Sequence, residues 1–168
     1  MELNHNVIDN YLANHFEIIY HHFTSSIYLI GGSIKDLLLD REVRDIDIVV
    51  LSNDDTQIKS FIDKYNLQYQ RNNFGGYKIK YGDLEIDIWN SNDLYKCIQY
   101  NFDGLFYDIK NKVFIPFGFF DAIETKELKE INSSAKEKRQ IINNFSRKKD
   151  EERKQKILQL MRVLGEEK

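Results

Sequence analysis

Two short acidic stretches contain the residues whose type and spacing best suit chemistry. Residues 45–48 (DIDI) and 85–88 (EIDI) each alternate a carboxylate with an isoleucine. Because successive side chains of a β-strand point to opposite faces, each stretch predicts carboxylates on one face and isoleucines in a core. Carboxylates this close repel each other unless a cation lies between them. The pattern therefore favours a divalent metal site with oxygen ligands, and Mg²⁺ is the usual ion where a phosphate completes the shell.

A glycine turn precedes the first acidic strand. Residues 27–30 (IYLI) form a short apolar run that predicts a buried strand, and Gly31-Gly32 ends it. Ser33 is expected to cap the helix that follows. A Gly-Gly-Ser turn can hold a phosphate through its backbone N–H groups. If the strand over 84–89 pairs beside the first acidic strand, the carboxylates and the turn predict a two-metal phosphoryl-transfer site.

The order of these features resembles the polymerase-beta-like nucleotidyltransferases. Within that superfamily, residues 31–50 (GGSIKDLLLDREVRDIDIVV) look most like the head domain of bacterial poly(A) polymerases and CCA-adding enzymes. Residues 101–118 (NFDGLFYDIKNKVFIPFG) are similar to a later segment of the same head domain. The resemblance covers roughly residues 25 to 130. It implies an α+β (mixed α/β) fold of the polymerase-beta palm type, with a mixed sheet, flanking helices and a helical C-terminal tail.

The resemblance also implies a role for each site residue. A catalytic and metal-binding role falls on three carboxylates, which are Asp45, Asp47 and Asp87. The first two would hold both Mg²⁺ ions and the third the ion at the attacking hydroxyl, with Glu85 as the alternative third ligand. Binding of the NTP triphosphate falls on four residues, which are Gly31, Gly32, Ser33 and Lys35. Lys35 stands where the family usually has arginine.

Two departures from the family pattern concern nucleotide recognition. Residues 97–99 (CIQ) occupy the place of an Arg-Arg-Asp segment that contacts the nucleotide, and Asp103 replaces an asparagine. The base-selecting Glu-Asp-x-x-Arg segment is absent, and residues 150–153 (DEER) are similar to it at a different spacing.

The favoured function is transfer of a nucleoside monophosphate from an NTP to an RNA 3′ end. Transfer to a protein or a small molecule, and a non-catalytic nucleotide- or RNA-binding module, stay open as alternatives.

Composition bounds the class of protein. A chain of 168 residues with 42% hydrophobic and 30% charged residues is typical of a soluble globular protein. We predict a head domain over 1–132 and a charged helical tail over 133–168. The single cysteine, Cys97, fits a reducing compartment. No apolar run approaches the ~20 residues of a membrane helix, so a cytoplasmic location without membrane contact is expected.

Charge and helical periodicity complete the prediction. Residues 135–168 hold 11 Lys and Arg against 6 Asp and Glu, a net of +5, and the rest of the chain has a net of −8. The basic tail is expected to bind RNA or tRNA, and a solvated helix surface is the plainer interpretation. CCA-adding enzymes also have a tRNA-binding body, and its absence from this sequence argues against a complete enzyme of that kind unless a partner chain supplies the body. Residues 4–23 predict one amphipathic helix, and Ser134 with Glu137 predicts a capping box for a tail of one or two helices.

Overall fold

The structure, a computed structural model, describes residues 2–72, 75–132 and 147–166. The chain divides into two compact units. The larger contains Glu2–Leu94 and Phe106–Ile115, and the smaller contains the described residues of Tyr95–Leu105 and Pro116–Lys168. The predicted α+β fold with a mixed sheet is confirmed. The predicted domain boundary at residue 132 borders residues 133–146, which lie outside the described residues, as does the predicted capping box.

Seven strands form one sheet in the order β3-β4-β5-β2-β1-β6-β7. Their bounds are β1 Ile27–Ile30, β2 Asp45–Leu51, β3 Gln68–Arg71, β4 Tyr77–Tyr81, β5 Leu84–Ser91, β6 Leu105–Asp108 and β7 Val113–Pro116. Strand β1 runs antiparallel to β2 and β6, and β4 runs antiparallel to β3 and β5. Strands β2 and β5 are parallel, which places the two acidic stretches side by side.

The first helix ends earlier than the N-terminal apolar periodicity predicts. Their bounds are α1 His5–His15, α2 Gly32–Leu38, α3 Thr56–Lys64, α4 Phe119–Thr125 and α5 Arg147–Glu166. The prediction of one helix over 4–23 is wrong, because Phe16 leaves the helical region at φ −150° and ψ 48°. Its ring packs in the core, 5.9 Å from the ring of Phe61 and 5.2 Å from that of Tyr81. A short 3₁₀ helix, Glu17–Tyr20, follows.

One face of the sheet is buried under helices of the larger unit. The isoleucines of both acidic strands are at most 1% exposed; they are Ile46, Ile48, Ile86 and Ile88. Helices α1 and α3 supply the facing apolar layer, with Ile8, Leu12, Ile58 and Phe61 fully buried. The alternation predicted for both strands is therefore confirmed, and it directs their carboxylates to the other face.

A polar network joins α3 to the outer strands on this helix-covered face. The Tyr77 hydroxyl donates to Asp55 Oδ2 at 2.7 Å, and Arg71 Nη1 donates to the Tyr77 hydroxyl at 2.8 Å. Burial, helped by the bond to Asp55, raises the pKa of Tyr77 to about 12. The same hydrogen bond is the main cause that lowers the pKa of Asp55. The network fixes the start of α3 to strand β4.

The smaller unit has its own apolar centre. The Phe102 and Phe119 rings lie 5.4 Å apart, and both are buried. Helix α5 contacts α4. Its buried residues share one face, and they are Ile157, Leu160, Met161 and Leu164. The described part of the tail is thus one helix with a packed face, although its sequence is highly charged. No helix among the described residues is long and apolar enough to span a membrane.

Candidate active site

Four carboxylates lie on the face of the sheet opposite the buried isoleucines. In the parallel β2–β5 pair, Asp47 is in register with Asp87 and Asp45 is in register with Glu85. Neighbouring strands are about 4.8 Å apart, so each pair projects from adjacent points of the surface. The structure therefore places the three predicted carboxylates and the alternative ligand Glu85 at neighbouring positions on one face of the sheet. The two acidic strands pair directly, which meets the condition that the sequence analysis set for the site.

The glycine turn packs directly against this face at Asp47. Gly31 has φ +84° and ψ −164°, a conformation that residues with a Cβ avoid. A Cβ placed on Gly31 would lie 2.8 Å from Asp47 Oδ2. A Cβ placed on Gly32 would have no heavy atom within 4 Å, apart from the adjoining backbone of its own helix. Gly31 is thus required for the close approach, while the space above Gly32 is open.

Ser33 and Lys35 hold the turn from inside the protein. The predicted capping role of Ser33 is wrong, because α2 begins at Gly32 with Gly31 as its N-cap. The Ser33 hydroxyl instead donates to the Ile30 carbonyl at 3.5 Å. Lys35 is 1% exposed, and its Nζ donates to the Gly31 carbonyl at 3.3 Å. Contact of either side chain with a phosphate stays a prediction, and the hydrogen bonds give both a role in positioning the turn.

Lys78 is a site residue that the sequence interpretation missed. It lies on β4, where Lys78 is in register with Asp87 and Lys80 with Glu85. The Lys78 Nζ is 3.9 Å from Asp87 Oδ2 and 4.0 Å from Glu85 Oε2. The signal was present, because a two-residue Gly82-Asp83 turn fixes which residues of the hairpin face each other.

The carboxylate oxygens of this face are ligands of the kind that Mg²⁺ binds, although they do not converge on one point. Among residues 2–72, 75–132 and 147–166, no three His, Cys, Asp or Glu side chains converge on one point. The Asp47 carboxylate lies against Gly31, and Asp87 faces Lys78. Hard oxygen ligands on an accessible face nevertheless match the preference of Mg²⁺. The residues that would hold it are Asp45, Asp47 and Asp87.

Residues 97–99, which the resemblance aligns with an Arg-Arg-Asp segment, belong to the smaller unit. Ile98 is fully buried and Gln99 is 1% exposed. The Gln99 carbonyl accepts hydrogen bonds from the backbone N–H groups of Ile131 and Asn132, at 2.9 and 3.3 Å. The side chains of residues 98 and 99 are therefore buried, and the backbone of Gln99 is hydrogen-bonded within the smaller unit.

Comparison with known families gives one match. The Poly A polymerase head domain family matches residues 27–95. Over this stretch the chain resembles a poly(A) polymerase head domain. The matched range contains the glycine turn and all four carboxylates, which confirms the predicted resemblance. A search of curated proteins found no match.

Solved structures of related fold extend the likeness. A tRNA-processing enzyme in an apo form has a TM-score of 0.55 at 18% identity, over 77% of this chain and 38% of that one. A tRNA nucleotidyltransferase with primer tRNA and an ATP analogue has 0.53 at 20%, over 83% and 47%. A Thermotoga maritima CCA-adding enzyme with tRNA has 0.51 at 20%, over 77% and 32%. These likenesses show the fold. The chain spans about a third to a half of the length of these structures.

Proposed function

We propose that the chain is a Mg²⁺-dependent nucleotidyltransferase that moves a nucleoside monophosphate from an NTP to the 3′ hydroxyl of an RNA. The observation that carries this proposal is the register of Asp47 with Asp87, beside a glycine turn packed on Asp47. In the reaction the acceptor oxygen bonds to the α-phosphorus of the NTP. The bond between this phosphorus and the oxygen that joins it to the β-phosphorus breaks, and pyrophosphate leaves. Bound Mg²⁺ would activate the attacking hydroxyl and offset charge in the transition state.

The chain's own residues have separable tasks in this proposal. Asp45 and Asp47 present their carboxylates beside the turn, where the triphosphate is held by backbone N–H groups around Gly31 and Gly32. Lys35 fixes that turn through the Gly31 carbonyl. Asp87, one strand further, serves the acceptor side. The open space above Gly32 leaves the turn backbone accessible to the nucleotide.

RNA is the acceptor that the charge and the likenesses favour. Two of the similar structures contain tRNA. Residues 135–168 have a net charge of +5, which attracts a polyphosphate backbone. A partner chain is proposed to add to the RNA-binding surface. The proposed place of action is the cytoplasm.

A labelling assay tests the proposal. The full chain is incubated with Mg²⁺, total cellular RNA and protein, and each α-³²P NTP in turn. We expect label in RNA, with Asp47→Asn losing it and Asp63→Asn, an exposed carboxylate on α3, keeping it. Label confined to protein or to a small molecule would overturn the RNA acceptor. NTP binding without any transfer would overturn the enzyme.

A non-catalytic binding module is the second candidate, and one observation favours it. Ile98 and Gln99, which the resemblance aligns with part of Arg-Arg-Asp, are buried, and the Gln99 carbonyl pairs with residues 131 and 132, so this route to nucleotide contact is lost. A module would bind NTP or RNA but transfer no label from any NTP, because binding alone needs no activated hydroxyl. The labelling assay with matched equilibrium binding separates the two.

A further inference from the structure

The open face of the sheet is ordered in rows that cross the strands. One row runs from Lys78 on β4 through Asp87 on β5 to Asp47 on β2. The next row runs from Lys80 through Glu85 to Asp45. Each row thus begins with a lysine and continues with two carboxylates. The lysines lie on the strand next to the one that carries the candidate third ligand.

Only one of these lysines reaches the carboxylates closely. The Lys78 Nζ lies 3.9 Å from Asp87 and 4.0 Å from Glu85, between the two rows. Within the described part of the chain, Lys80 makes no ion pair shorter than 4.0 Å, although it shares the strand, the face and the exposure of Lys78. The two lysines therefore differ in position relative to Asp87 and not in chemistry.

The contact made by Lys78 is of a kind that exchanges easily. Both distances exceed hydrogen-bond range, so the attraction is between charges only. The Lys78 side chain is 48% exposed and that of Asp87 is 31% exposed. Pairs of this exposure are weakly held and screened by salt, and an entering divalent cation can displace them.

We propose that Lys78 is the resident counterion of Asp87 and Glu85 and competes there with the divalent cation. Lys78 then sets how tightly the nucleotide-free protein holds metal at its third ligand. This inference rests on the proposed function, which places a divalent cation at Asp87. It assigns Lys78 a positioning role, because the ammonium acts on the carboxylate and not on the reacting atoms.

The test measures Mn²⁺ binding to the full chain without nucleotide, at 0.15 M KCl, from the EPR signal of free Mn²⁺. Removing the ammonium deletes a repulsion at about 4 Å and frees Asp87. We expect Lys78→Gln and Lys78→Met to bind Mn²⁺ about threefold to tenfold more tightly than wild type. Lys80→Gln removes the same charge from the same strand and should stay within about twofold, because the close ion pairs with Glu85 and Asp87 are made by Lys78.

Asp87→Asn and Asp47→Asn separate failure of this inference from failure of the proposed site. If both weaken Mn²⁺ binding but Lys78→Gln and Lys78→Met match Lys80→Gln, or bind more weakly, the competition is overturned and the metal site stands. If neither carboxylate variant changes Mn²⁺ binding, the cation is not at these strands, and the proposed site falls together with the inference. Circular dichroism of each variant verifies that the compared proteins are folded.

Discussion

Gly31 is the residue of the site with the least freedom. Its φ of +84° disfavours any side chain, and a Cβ there would meet the Asp47 carboxylate at 2.8 Å. We predict that Gly31→Ala lowers the free energy of unfolding by about 1 to 3 kcal/mol and weakens NTP binding. Gly32→Ala, with open space around its Cβ, should change stability by less than about 0.5 kcal/mol. Urea unfolding of both variants measures the difference, and equal losses would contradict the close approach.

Asp87 is predicted to matter more for chemistry than for nucleotide binding. Asp87→Asn keeps the shape and removes one negative ligand on the acceptor side of the site. The transfer rate should fall about a hundredfold or more, and NTP affinity by titration calorimetry should change less than about tenfold. Equal losses in rate and affinity would make Asp87 a general metal anchor.

Glu85 provides the matched control for Asp87. It lies two residues earlier on the same face and is in register with Asp45. If Asp87 is the third ligand, Glu85→Gln should leave the rate within about threefold. A change of this size is less than about 1 kcal/mol in the barrier. A full loss in Glu85→Gln with an active Asp87→Asn would exchange the two roles.

At the scale of elements, much of the sheet could be predicted from the sequence. The alternation in 45–48 and 84–89 determined which side chains are buried, and the short Gly82-Asp83 turn determined the β4–β5 hairpin. Both signals are local, because period-two alternation and turn length act over a few residues. The pairing of β2 with β5 is long-range, and the matching acidic pattern offered it only as a condition for the site.

The rest depended on tertiary contacts that local patterns do not encode. The apolar periodicity of 4–23 continues past Phe16, yet the core takes its ring between Phe61 and Tyr81 and the helix ends. Lys35 was predicted as a phosphate ligand, and its burial beside the Gly31 carbonyl depends on how α2 packs. Propensity is a weak prior that such packing overrides.

The hydrogen bond between Tyr77 and Asp55 predicts a pH-dependent link between β4 and α3. Because the pKa of Asp55 is lowered on folding, its contribution is complete above the unfolded value near 4 and is lost as the pH falls below it. We expect a double-mutant cycle of Tyr77→Phe and Asp55→Asn to give about 1.5 kcal/mol of coupling at pH 7. The coupling, from urea unfolding, should shrink at about pH 2.5. Constant coupling would show that the pair does not titrate on folding.

At the scale of the whole molecule, ligand binding should raise thermal stability. A ligand at about 100 times its Kd stabilises the folded state by about 2.7 kcal/mol. For 168 residues that corresponds to a Tm rise of roughly 5 to 10 °C with Mn²⁺ and NTP together. Asp45→Ala should remove the metal-dependent part, whereas Asp63→Ala should keep it. An unchanged shift in Asp45→Ala would place the metal elsewhere.

The tail is best tested without removing it, because α5 has a packed face. Lys156 and Arg162 are exposed on this helix and suit charge removal. If they contact RNA phosphates, changing both to Gln should reduce the slope of log Kd against log salt by about 1.4 for a single strand. Lys64→Gln with Lys110→Gln, two exposed lysines of the larger unit, should leave the slope unchanged. An equal reduction in this control would show that the attraction is not specific to the tail.

The length of the two-residue turn between β4 and β5 determines which face of the sheet each side chain of β4 occupies. With Gly82 and Asp83 as the only loop residues, Tyr81 faces Leu84, and odd positions of β4 point into the core. One inserted residue, if the pairing slid to accommodate it, would exchange the two faces of β4. Lys78 and Lys80 would then point toward the helices, and tyrosine and isoleucine would lie beside the carboxylates. A substitution in this turn changes one side chain, but such a one-residue insertion would exchange the faces of the whole strand.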